Sequence, residues 1–125
     1  MKKSVPKSLK TWFIIHFILD IIFAIPLMLF PQWFMHVLGF TMVEPMTARF
    51  VGAALIGIGG TSFLMRNKSK DAYLAMLNLK LLWSSFAVLG ILMTMIQGGP
   101  EVGWALLIIF IAFFFLWLYY KRRIK

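Results

Sequence analysis

The chain has no cysteine and only four acidic residues, Asp20, Glu44, Asp71 and Glu101, in 125 positions. Without cysteine there is no disulfide, no thiolate nucleophile and no cysteine-ligated metal, and the redox compartment leaves no mark on the sequence. The two histidines, His16 and His36, and the scattered carboxylates give no element a metal-ligand spacing. No serine nucleophile elbow and no glycine-rich phosphate loop occurs either. These absences point away from an enzyme, and no metal or cofactor is expected.

Apolar surface, by contrast, is abundant. Hydrophobic residues make up 62% of the chain and the mean hydropathy is +0.88, against about 45–50% apolar residues in soluble domains. A soluble core of this length could not hide so much of it. The net charge of +9 raises the question of nucleic acid, but these charges flank apolar runs and are not interleaved with polar, foldable sequence. Anionic lipid headgroups, which attract a basic residue near the surface by about 1 kcal/mol, explain them more simply. The expected partners are membrane lipids, with no nucleic acid.

Eleven of the thirteen basic residues fall into three patches: Lys2, Lys3, Lys7 and Lys10; Arg66, Lys68 and Lys70; Lys121, Arg122, Arg123 and Lys125. Between them lie apolar stretches over 12–30, 48–65, 72–96 and 102–120. Each approaches or exceeds the roughly 20 residues a helix needs to cross the hydrocarbon. No alternating barrel pattern is present, so backbone satisfaction in lipid requires helices. Because short loops rich in Lys and Arg stay on the cytoplasmic side, the expected product is an all-α integral membrane protein of the cell membrane, multi-pass, with both termini cytoplasmic. Its organisation reads as a basic N-terminus over 1–11, a single four-helix transmembrane domain over 12–120 packed as an antiparallel bundle, and a basic tail over 121–125. The first stretch is too long for a typical signal-peptide core and lacks a convincing small-residue cleavage site, so it is read as a span.

The connections carry further information. Arg66 to Asp71 is a compact polar turn with Asp71 placed to cap the next helix, and Gln97 to Glu101 is a tight outer turn. In the longer connection, Trp33, Phe34, Val37 and Leu38 lie between Pro31 at a helix start and Gly39 at a helix stop. This spells a short interfacial helix over 31–38, the alternative being an extension of the first span past a proline kink. Trp12, Trp104, Trp117, Tyr119 and Tyr120 stand near span ends as headgroup-level anchors.

In the second span, Ala53, Gly57 and Gly60 share a face at i, i+4 and i+7 and, with Gly52, are small residues for close helix packing, with a glycine-lined path as the alternative. The fourth span has no polar side chain between Trp104 and Trp117 and carries Phe113, Phe114 and Phe115, so it is expected to face lipid or a neighbouring subunit.

A charge near the bilayer centre costs several kcal/mol unless paired or hydrated, so the chemistry is sought among the ionisable groups inside the spans. His16 and Asp20, four residues apart, share a helix face, and Lys80 precedes Ser84 by one turn on the third span. Counted from the inner span ends, Asp20 and Lys80 both lie about 13–14 Å deep. Counted from the outer ends they lie about 15 Å and about 24 Å down. Pairing with Asp20, snorkelling to the inner headgroups, and another partner all stay open for Lys80. Arg49, with Glu44 and Glu101, forms an outer charge cluster, either a clamp on the interfacial helix or an anion or lipid-headgroup site. His36 is either proton-sensitive or simply solvated.

Phe30-Pro31, Leu38-Gly39 and Arg49-Phe50-Val51-Gly52 leading into the glycine-rich helix resemble the DoxX-like group of uncharacterised four-helix membrane proteins of prokaryotes. The resemblance runs from Leu29 to Arg66 and implies a four-helix fold with no particular activity. Two functional expectations follow. One is a transport or ligand-conducting protein, a parallel homo-oligomer with a titratable polar centre at His16, Asp20, Lys80 and Ser84. The other is a non-catalytic accessory or scaffold protein that binds a membrane-protein partner.

Overall fold

The structure, a computed structural model, describes residues 4–125, so Lys2 and Lys3 of the first basic patch lie outside the described residues. The described residues form five helices: α1 (Lys7–Leu29), α2 (Pro31–Val37), α3 (Pro45–Met65), α4 (Lys70–Ile96) and α5 (Val102–Ile124). All but α2 are long and apolar enough to cross a membrane, and most of the apolar length of each is unburied. Ile22, Phe50, Leu82 and Ile108 instead point outward, as the lipid-facing side of a span requires and a water-soluble surface avoids.

Local chemistry sets the helix ends. Phe30 precedes a proline and sits at φ −134°, ψ 54°, outside the α region that a following proline disfavours. The break separates α2 from α1, so the Pro31 segment is a helix of its own and not a continuation of the first span. At the far end of α2, Gly39 has φ 100°, its amide donates to the His36 carbonyl, and the Phe40 amide donates to Met35. That pair of bonds is a Schellman ending, which needs a left-handed residue at its centre. Gly98 (φ 88°) ends α4 in the same way, with bonds from Gly98 to Met95 and from Gly99 to Thr94.

One cap differs from expectation and another was not foreseen. Asp71 does not cap α4: Ser69, in extended backbone, accepts from the Ala72 amide at 3.3 Å, and Asp71 lies inside the first turn, where its charge opposes the positive end of the helix dipole. At α3 the cap is Glu44, whose Oε2 accepts from the Thr47 amide at 2.8 Å and the Thr47 hydroxyl at 3.1 Å. Past the expected span end at 120, α5 runs on through Lys121, Arg122 and Arg123 to Ile124. Cations in a last turn are favoured by the dipole.

The chain divides into two compact units, Pro6–Asn67 and one built on Lys68–Lys125. In the first, α1 packs along α3, and α2 folds against both. Contacts descend in order: Phe17 stacks on Phe63 with ring centroids 4.6 Å apart, Asp20 meets Gly59, and Leu27 and Met28 meet Gly52. In the second, α4 packs along α5, and Trp83 meets Phe110 edge to face.

Hydrogen bonds from the Thr47 and Met46 amides hold the Glu44 carboxyl below the usual carboxylate range, with Arg49 adding a smaller electrostatic pull. A group whose pKa is depressed on folding stabilises at pH above its unfolded value, and that contribution is lost as pH falls through the lowered folded value. Protection of the Thr47 amide against hydrogen exchange should therefore fall as the pH is taken below the carboxylate range. Glu44→Gln should show the weaker protection at every pH, with the titration gone.

Candidate functional site

The buried face of α1 follows helical spacing through Phe13, His16, Asp20, Ala24 and Leu27. Two ionisable groups thus sit on the stripe that an apolar span reserves for packing. His16 is 5% exposed and Asp20 6%, and Nε2 of the histidine lies 3.5 Å from Oδ1 of the aspartate. This i, i+4 contact is the one expected from the spacing.

The facing stripe of α3 is Ala48, Gly52, Leu55, Gly59 and Ser62. Gly59 is where the helices come closest around the carboxylate: a Cβ built there would stand 2.8 Å from both Cβ and Oδ2 of Asp20. Within this pair, the α3 face turned to α1 differs from the small-residue face read from the sequence. Gly52 belongs to it, pressed on Leu27 and Met28, but Ala53 and Gly57 are exposed, and a Cβ at Gly57 or Gly60 would meet nothing within 4 Å. Glycines at 52, 57, 59 and 60 cover several faces of one helix, and only the position of the carboxylate on α1 tells which face is used.

Hydroxyls near this face serve their own backbone. Ser62 Oγ donates to Ile58 O at 3.0 Å and Thr61 Oγ1 to Gly57 O at 2.7 Å. At the other end of the α1 and α3 pair, Arg49 Nε donates to the Met28 carbonyl at 3.0 Å. Met28 lies in the last turn of α1, where carbonyls lack helical partners, so Arg49 clamps the end of α1. Within its own unit its partner is this carbonyl, while the Glu44 carboxylate turns onto Thr47. Glu101 stands at the α5 start and makes no side-chain cap. His36 turns its Nδ1 onto the Phe40 carbonyl at 2.9 Å; a carbonyl only accepts, so that nitrogen carries the proton and the ring braces the Gly39 turn.

In the other unit Lys80 is fully buried, so its stem does not carry the ammonium out to solvent. Its Nζ lies 4.7 Å from the centroid of the Trp117 ring, within the range of a cation–π contact. Phe113 stacks on the same indole at 5.5 Å. Trp117 and Tyr120, expected as headgroup anchors, are 1% and 4% exposed; the indole face goes to a cation in the interior. Trp104 and Tyr119 remain exposed. Ser84 Oγ donates to the Lys80 carbonyl at 2.7 Å, so its proton is committed to its own helix. Sequence reasoning missed Gly59 and Trp117. The available signals were their spacings, since Gly59 continues the stripe of Gly52 at seven residues and Trp117 lies three before the likewise buried Tyr120.

No group of three or more histidine and acidic side chains able to hold a metal occurs among the described residues. Compared with protein-family profiles, curated proteins and solved structures, the chain matches none. Its function is argued from the site.

Gly59→Ala must displace Asp20 or part the helices and should lower the stability of the detergent-solubilised chain by about 1–3 kcal/mol. Gly57→Ala, with open space around it, should be neutral or stabilising by up to about 1 kcal/mol. Thermal unfolding followed by circular dichroism compares the two.

Proposed function

We propose that the chain is a multi-pass protein of the cell membrane that transports or conducts a small ligand, with His16 and Asp20 as its titratable centre. The observation that carries this reading is an ionisable pair more than nine-tenths buried on the packing face of an apolar helix. Such groups are expensive inside a membrane and by default mark ion, proton or substrate pathways. In this reading α1, α3, α4 and α5 are antiparallel spans and α2 lies in the outer interface. Both termini and the 66–71 turn are cytoplasmic, and the three basic patches face anionic headgroups there. The same charge bias makes every copy in a homo-oligomer point the same way. Lys80 over Trp117 and the adjoining Ser84 form a second polar element. The likeness of 29–66 to DoxX-like proteins supports the four-helix arrangement and adds no activity.

The test is flux of protons, ions and small solutes into liposomes holding wild type or Asp20→Asn at matched density. Wild-type flux should exceed that of the variant by about tenfold, a change of about 1.4 kcal/mol in the barrier. Equal background flux from both eliminates the reading.

A second reading, a non-catalytic accessory or scaffold protein, is favoured by one observation: α5 exposes Trp104, Ile108, Ile109, Ile111 and Phe115 with no polar group among them. On that reading, polar substitutions across Phe113, Phe114 and Phe115 should abolish capture of the membrane partner, while Asp20→Asn with Lys80→Met should spare it. Capture that survives the phenylalanine changes rules out this surface.

A further inference from the structure

Leu29, Phe30, Gln32, Trp33, Pro45 and Arg49 line an open groove of about 450 Å³ at the corner where α1 gives way to α2. Its chemistry is divided. Its lining includes two exposed rings, Phe30 at 59% and Trp33 at 64%, together with the Gln32 amide and the Arg49 guanidinium. Arg49 is the one basic residue between Lys10 and Arg66. Its Nε is fixed to the Met28 carbonyl at 3.0 Å, which uses one of the five N–H donors of a guanidinium and holds the planar group in place. A positioned guanidinium recognises phosphate better than a free one, because less side-chain freedom is lost on binding. The acid closest in sequence, Glu44, accepts from Thr47 at 2.8 and 3.1 Å and feels only a smaller electrostatic pull from Arg49, so the remaining guanidinium N–H groups have no hydrogen bond to it. A fixed cation beside exposed rings matches a ligand with an anionic head and an apolar tail, whereas a free anion would leave the rings unused.

We propose that this groove binds the headgroup of an anionic phospholipid, with the phosphodiester on Arg49 and an acyl chain along Phe30 and Trp33. The inference rests on the orientation proposed above, which puts this corner at the outer headgroup level. Arg49 then serves two purposes, holding the end of α1 and receiving the lipid.

The full chain in detergent, titrated with phosphatidylglycerol, phosphatidylcholine or inorganic phosphate and observed by native mass spectrometry, tests it. Wild type should retain phosphatidylglycerol in preference to phosphatidylcholine, and inorganic phosphate should not displace it. Arg49→Gln and Trp33→Ala should each weaken retention by about tenfold, as expected for loss of a charged hydrogen bond or a buried ring contact. Arg122→Gln with Arg123→Gln, in the inner patch, should leave it intact. Trp33→Ala keeps the Arg49 clamp, so undiminished retention in that variant overturns the proposal even where Arg49→Gln fails to fold. Equal retention of phosphatidylcholine, or displacement by inorganic phosphate, overturns it as well. Orientation is tested separately in the cysteine-free chain: Gln32→Cys should react with a membrane-impermeant maleimide added outside intact cells. Labelling only after permeabilisation overturns the topology and the lipid site together, while outside labelling with unchanged retention overturns the lipid site alone.

Discussion

A carboxylate on the packing face of an apolar helix must be given its surroundings by the fold, because lipid supplies neither water nor counter-ion. Asp20 imposes that demand on the Pro6–Asn67 unit. His16 one turn earlier answers it along the same helix at 3.5 Å, and Gly59 answers it across the helix pair by offering no side chain where the carboxylate lies. A glycine inside a helix costs about 1 kcal/mol relative to alanine, and at position 59 the close approach explains why it is there. The ring stack of Phe17 on Phe63 and the Arg49 clamp on Met28 lie to either side of this contact. Together they fix the rotation of α3 that aims Gly59 at Asp20.

In the unit built on Lys68–Lys125 a buried cation lies over an aromatic face. An ammonium has three donors and no acceptor capacity, and an indole face presents negative charge density without needing a proton of its own. Trp117 beside Lys80 uses that property, and Phe113 stacks on the same indole. The tryptophan is thereby withdrawn from the interfacial place that its position near a span end suggests. Depth counting along the sequence treats every aromatic near a span end alike, whereas helix rotation decides which of them face lipid.

What the sequence made legible and what it hid divide along that line. The helices and their ends were readable because hydropathy, proline and glycine act over a few residues: Pro31 starts α2, Gly39 and Gly98 stop their helices, and His16 meets Asp20 through i, i+4 spacing alone. The face of α3 was not readable. Gly52, Gly57, Gly59 and Gly60 are spread around the helix, and the partner that selects among them is a side chain on another element. The caps were missed for a related reason. Ser69 and Asp71 are both good capping types, and which one caps depends on where the backbone leaves the extended region; Glu44 is a poorer type that succeeds because Pro45 fixes the first turn behind it.

The serine and threonine hydroxyls of α3 and α4 are constrained by their own helices. Ser62, Ser84 and Thr61 each donate to a carbonyl of their own helix, at 3.0, 2.7 and 2.7 Å, so their protons are committed while their oxygen lone pairs can still accept. Groups in that state can solvate a cation or an imidazole N–H, but they can hydrogen-bond to an anion only by giving up a bond to the backbone.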